Sequence, residues 1–127
     1  MRKKLFFLYH FFFVLISVLI FHSKKTYNTI SFDHKIVFLV KCMRNPAIAL
    51  ASKTLALVML RRLISTSVEE NWSSLNDSIK TSLKVELLNA VQQEPDQSIR
   101  KKITDVIAEL ARFLIGMWHS RVKFIQF

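Results

Sequence analysis

Apolar residues recur every three to four positions over two long stretches of this chain, and that period predicts two amphipathic helices. In the first, Leu75, Ile79, Leu83 and Leu87 repeat every fourth residue, joined by Leu88 and Val91. Asn76 or Asp77 is its expected N-cap and Gln93 its approximate end. Glu94-Pro95-Asp96 then turns the chain. In the second, Ile99, Ile103, Val106, Ile107, Leu110 and Leu114 form one stripe, capped by Asp96 or Ser98. Gly116 is expected to end this helix as a C-cap, with Trp118 to Phe127 opening another. Lys101 with Asp105, and Glu109 with Arg112, have the spacing of ion pairs on its outer face.

Upstream the pattern is less periodic. Ile36, Val37, Phe38, Leu39 and Val40 form an unbroken apolar run, which a helix or a buried strand could hold. With helical neighbours we read it as a helix from an Asp33 N-cap to about Met43. Asn45-Pro46 breaks the chain, and Pro46 suits the first turn of a helix reaching about Ile64. That helix is apolar nearly all round, through Ile48, Leu50, Leu55, Leu57, Val58, Met59, Leu60, Leu63 and Ile64. It therefore needs neighbours on more than one side. Arg61 and Arg62 fall near its expected C-terminus, where the macrodipole favours cations. Residues 65–74 read as a Ser-rich loop, with Glu69-Glu70 as solvated loop acids.

The first twenty-two residues are different. Leu5 to Phe21 is an uncharged apolar run with Arg2, Lys3 and Lys4 before it and Lys24 and Lys25 after. A membrane-spanning helix needs roughly 17–25 residues, so the run sits at the short limit. It lacks an Ala-x-Ala cleavage pattern, which favours a signal anchor over a cleaved signal peptide. The alternative is a spurious start outside the working protein. Two segments result: residues 1–22, hydrophobic, and residues 24–127, helical.

Composition supports an all-α chain. One Gly and two Pro leave little turn chemistry for hairpins, and the lone Cys42 forms neither an internal disulfide nor a zinc cluster. The net charge is +10, and all nine acids lie at Asp33 or beyond. The helical part is thus modestly basic with mixed signs. It lacks basic residues interleaved with stacking aromatics, so an acidic protein partner is favoured and nucleic acid is not expected. Helix-pair starts near Asp33, Leu75 and Trp118 fall within the roughly 40–47-residue period of HEAT-type repeats. The expected architecture is an α-solenoid of about two full helix pairs with partial ends.

No enzyme chemistry emerges. With Gly116 alone there is neither a GxGxxG nor a phosphate-cradling loop. His10, His22, His34 and His119 have no ligand spacing, and no metal or cofactor is expected. Ser31, Asp33 and His34 are too close along the chain to be expected to converge as a nucleophile and its base. Cys42 reads as a small core residue, and Trp72 and Trp118 as covers of repeat edges. Asn71-Trp-Ser73 and Asn76-Asp-Ser78 are formal glycosylation acceptors.

One family likeness spans most of the chain. Its residues are Thr26-Tyr-Asn-Thr-Ile30, Lys35-Ile-Val-Phe-Leu39, Arg44-Asn45, Ala56-Leu-Val-Met-Leu-Arg-Arg-Leu63, Lys84-Val-Glu-Leu-Leu88, Arg100-Lys-Lys-Ile-Thr-Asp105, Ala108-Glu-Leu-Ala-Arg112 and Trp118. Together these resemble the N-terminal HEAT repeats of the importin-beta (karyopherin-beta) family, nearest its importin beta-3 branch. Residues 1–22 depart from that family's amphipathic first helix, and family members carry many more repeats. The resemblance implies a nuclear transport receptor fragment of the cytoplasm and nucleus. It implies binding to the small GTPase Ran in its GTP form, and to cargo and nuclear pore proteins. It also implies that the Ran-facing surface lies on the second helix of each pair, about 46–64 and 97–115. Arg61, Arg62, Arg100, Lys101 and Lys102 are the basic side chains expected there. The competing expectations are a small membrane-anchored helical protein, with residues 5–21 in the bilayer, and a truncated fragment without function.

Overall fold

The computed structural model describes the backbone of residues 30–125 and the side chains of residues 30–120. The expectations for residues 1–22 lie outside the described residues. Four helices occupy the described chain: α1 (Phe32–Arg44), α2 (Leu50–Asn71), α3 (Asp77–Gln93) and α4 (Gln97–Ile125). Among the described residues there is no strand, and the apolar run at 36–40 is helical.

Local chemistry sets most of the boundaries. Ser31, rather than Asp33, is the N-cap of α1. Asn45 turns the chain by accepting the Ala47 N–H on its Oδ1 at 2.9 Å, an Asx turn that contains Pro46. Pro46 is therefore a turn residue, and α2 starts four residues later than the sequence suggests. Asn76 caps α3 by accepting the Ser78 N–H at 2.9 Å. Asp96 does the same for α4, accepting the Ile99 N–H at 3.0 Å.

Two further boundaries correct the sequence reading. The Ser-rich stretch from Ser65 is not a loop, because α2 continues to Asn71. Ser65 and Thr66 hydroxyls donate to the Arg62 carbonyl at 3.0 and 2.8 Å, which keeps these polar side chains occupied within the helix. Val68 and Trp72 are buried at the end of this extension, giving it a packing reason to form. Gly116, in turn, is not a C-cap. It has no positive φ, and α4 runs straight through it to Ile125. Trp118 is therefore part of α4 rather than the start of a further helix.

The core lies between the four helices. Leu57, Leu60 and Ile64 of α2 meet Ile103, Val106 and Leu110 of α4, with Ile36, Leu39, Leu83 and Leu87 from the other two helices. Each such side chain contributes about 1.5–3 kcal/mol on burial. Among the described residues no polar side chain is buried, and no buried side-chain nitrogen or oxygen lacks a partner.

Packing does not follow chain order. α1 packs on α2 and α3, and α4 packs on α2 and α3, while the consecutive pair α2 and α3 make little contact. Long-range contacts give the directions. Arg44, the last residue of α1, reaches Glu86 and Gln93 in the second half of α3, so the two helices end side by side and run parallel. Arg61 reaches Asp105 and Glu109, and Trp72 reaches Phe113, so α2 and α4 run parallel as well.

Candidate protein-binding surface

α2 and α4 lie side by side and carry all five of the basic residues singled out by sequence. Helical geometry divides them. Successive residues turn by about 100°, so Arg61 and Arg62 point apart, and Arg100, Lys101 and Lys102 fan across three directions. Arg61 lies on the seam between the helices. Its guanidinium is 4.0 Å from the Asp105 carboxylate and 3.8 Å from that of Glu109. Glu109 also holds Arg112 at 3.1 Å. Arg61 is thus engaged within the chain, and Asp105 pairs with it rather than with Lys101. Exposed pairs of this kind contribute at most about 1 kcal/mol.

Arg62 is exposed one residue on, beside exposed Val58 one turn earlier. Arg100 and Lys101 are exposed and, with Asp96, Gln97, Ser98 and Thr104, line a shallow open hollow of mixed charge at the start of α4. Lys102 is only half-exposed. Among the described side chains, the exposed cations of this set with no carboxylate partner are therefore Arg62, Arg100 and Lys101.

The helix dipole does not account for them. With α2 extending to Asn71, Arg61 and Arg62 lie well before its last turn, which contains no basic residue. Arg100 and Lys101 sit at the start of α4, the end of a helix where cations are disfavoured.

A second concavity lies on the opposite layer. Ile36, Val40 and Lys41 of α1 and Ser78, Ser82 and Leu83 of α3 line a mostly apolar groove of about 450 Å³. At its rim the Arg44 Nε donates to Glu86 at 2.8 Å. Sequence reasoning missed this pairing, and also the close pair between Lys53 and Glu94, because more than forty residues separate the partners.

Ser31 and His34 do meet, contrary to the sequence expectation. The Ser31 Oγ is 2.7 Å from His34 Nδ1, because the first turn of a helix brings a cap residue beside the third residue after it. Asp33 is bonded to the Ser31 hydroxyl, which holds its carboxyl below the usual range. The carboxylate therefore competes for the hydroxyl instead of orienting the imidazole, and the cluster is an exposed helix cap rather than a triad. Among the described residues no group of three or more His, Cys, Asp or Glu is arranged to hold a metal. Cys42 is buried, and burial pushes its thiol up to about 12.

The two formal glycosylation acceptors differ. The Asn71 amide nitrogen donates to the Ser67 carbonyl at 2.7 Å, so the atom that glycosylation would modify is occupied in the helix. Asn76 uses its amide oxygen for the α3 cap and is exposed.

Among the described residues no helix is long and apolar enough to cross a membrane. No protein-family model matches the chain.

Proposed function

We propose that this chain is a protein-binding α-solenoid fragment of importin-beta type, whose α2–α4 surface contacts Ran in its GTP form during nucleocytoplasmic protein import. The observation that carries the reading is the parallel placement of α2 and α4, with Arg62, Arg100 and Lys101 exposed along them for no helix-dipole reason. In an up-down bundle, consecutive helices are neighbours; here α2 and α3 are nearly out of contact, and first packs on third and second on fourth. That arrangement fits two stacked HEAT-type pairs, each hiding its apolar face against the next. A GTPase presents acidic switch surfaces, which suit exposed arginine and lysine. Arg61 serves this surface only indirectly, as a weak exposed bridge from α2 to the Asp105 and Glu109 carboxylates of α4. Cargo and nuclear pore proteins are the further partners of the reading, in cytoplasm and nucleus.

Binding of the chain to Ran loaded with a GTP analogue, and separately with GDP, tests it. The expected result is preference for the GTP form, lost in the Arg62→Glu/Lys101→Glu variant while its far-UV spectrum and melting temperature are kept. Absent binding, or equal binding to the two forms, rejects Ran recognition.

A second reading rests on one sequence feature, the uncharged run from Leu5 to Phe21. It makes the chain a small membrane-anchored helical protein. Carbonate extraction of membranes from expressing cells decides it, since release of the chain into the soluble fraction rules out an integral anchor.

A further inference from the structure

The α2–α4 surface holds a cation that no sequence motif singled out for it. The core stripe of α4 is Ile99, Ile103, Val106 and Leu110. Successive residues turn by about 100°, so the side of the helix opposite that stripe carries Lys101, Ala108 and Arg112, spaced by seven and four. All three are exposed, and the Arg112 side chain is 73 % exposed. Arg112 stands in the middle of a helix that runs to Ile125, so the helix dipole does not account for it. Arg100 precedes Arg112 by twelve residues (100 to 112) and lies about 120° round the helix from it. It therefore belongs to a different face, although it neighbours Lys101 in the chain.

The seam sets the level of α2 against this stripe. Arg61 lies between Asp105 and Glu109, at 4.0 and 3.8 Å. The next residue, Arg62, stands across the seam from the interval between Lys101 and Arg112. Those two are eleven residues apart (101 to 112), which is about 16 Å along the axis. Arg62, Lys101 and Arg112 thus form a triangle of exposed cations around Ala108, whose single methyl leaves room for a partner to approach. Val58, 41 % exposed one turn before Arg62, gives the triangle an apolar edge.

The nearby acids mark its limits. Asp105 and Glu109 lie on the seam, where both face Arg61. Glu109 also accepts from Arg112 at 3.1 Å, a bond that uses one of the five guanidinium donors. Such an exposed pair is weak and yields to a competing carboxylate. Glu69, seven residues beyond Arg62 on the same side of α2, is exposed and closes the cationic area at that end.

We propose that Arg112 is a contact residue of the α2–α4 surface. With Arg62 and Lys101 it seats an acidic segment of the partner whose carboxylates are spread over about 16 Å, and Arg100 stays outside the contact. This assignment rests on the reading of that surface as the partner-binding face.

The test measures binding of the full chain, at physiological salt, to Ran loaded with a GTP analogue and in parallel to a labelled oligoglutamate peptide. Binding should be about tenfold weaker in Arg112→Glu, largely restored in Arg112→Lys, and weakened about threefold at most in Arg100→Glu, with melting temperatures unchanged. Raising the salt concentration should shrink the gap between the native chain and Arg112→Glu. Undiminished binding by Arg112→Glu, or a loss in Arg100→Glu as large as that in Arg112→Glu, would overturn the assignment. The peptide separates that outcome from failure of the GTPase reading. If Ran shows no preference for its GTP form while the peptide ranks the variants in this order, Arg112 keeps its role and only the partner changes. If the native chain binds neither Ran nor the peptide, the assignment is overturned as well.

Discussion

The Lys53 ammonium lies 3.2 Å from the Glu94 carboxylate, with side chains only 14 % and 9 % exposed. Lys53 is in the first turn of α2 and Glu94 caps the end of α3, so this pair ties the start of α2 to the turn between α3 and α4. Other ion pairs of the described residues have at least one more exposed partner. Glu94 also accepts the Asp96 N–H at 3.3 Å, linking the pair to the turn before α4. Glu94→Ala should therefore destabilise the chain by about 2 kcal/mol, because it strands a mostly buried ammonium. The double change Lys53→Met/Glu94→Leu should recover most of that loss, since neither charge remains to be desolvated. Urea denaturation midpoints of the three proteins check this, and an additive double variant contradicts it.

Gly116 separates two descriptions of the end of α4. A glycine C-cap needs the left-handed backbone region, and alanine there is strained. Gly116 instead lies within the helix without positive φ, and a Cβ added to it would meet nothing within 4 Å. Gly116→Ala is expected to stabilise by about 0.5–1 kcal/mol. A lower melting temperature would restore the C-cap.

Ser67 tests the extension of α2. A proline in a Ser-rich loop is well tolerated, but in the interior of a helix it removes a backbone donor and clashes with the preceding turn. Ser67→Pro should cost about 3 kcal/mol and should expose Trp72, which is held at the end of the same extension. The measurement is the denaturation midpoint together with a red shift of tryptophan emission.

Cys42 gives a pH dependence with a fixed sign. Its thiol has an ordinary value of 9.0 and is raised to about 12 by burial in the folded chain. Its contribution is fully present below pH 9 and is lost as pH rises from 9 toward 12, because the unfolded chain releases the proton first. Between about pH 8 and pH 10 the stability gap between the native chain and Cys42→Ala should shrink by about 1 kcal/mol. Disulfide exchange reagents should modify Cys42 at the rate of unfolding rather than at the rate of a free thiol.

Much of the fold is legible in the chain itself, and for a local reason. The 3.6-residue period of Leu83, Leu87, Ile99, Ile103, Val106 and Leu110 requires two helices with one buried stripe each, and those residues belong to the core. Asn76 and Asp96 cap their helices through bonds to residues two and three positions away. Interactions of this reach are fixed by neighbours in the chain, so sequence alone decides them.

Tertiary packing decided what neighbours could not. Burial of Val68 and Trp72 turned a Ser-rich stretch into helix, although its composition favours a loop. Arg61 and Glu109, 48 positions apart (61 to 109), became partners only when α2 and α4 aligned, and that removed Arg61 from the free cations of the basic surface. Trp72 and Trp118 read alike in the sequence, yet one is enclosed by Phe113 and two lysines and the other faces solvent. The difference arises because the fold brings Phe113 of α4 and Lys80 and Lys84 of α3 around Trp72, a set of contacts from three helices that local sequence does not encode.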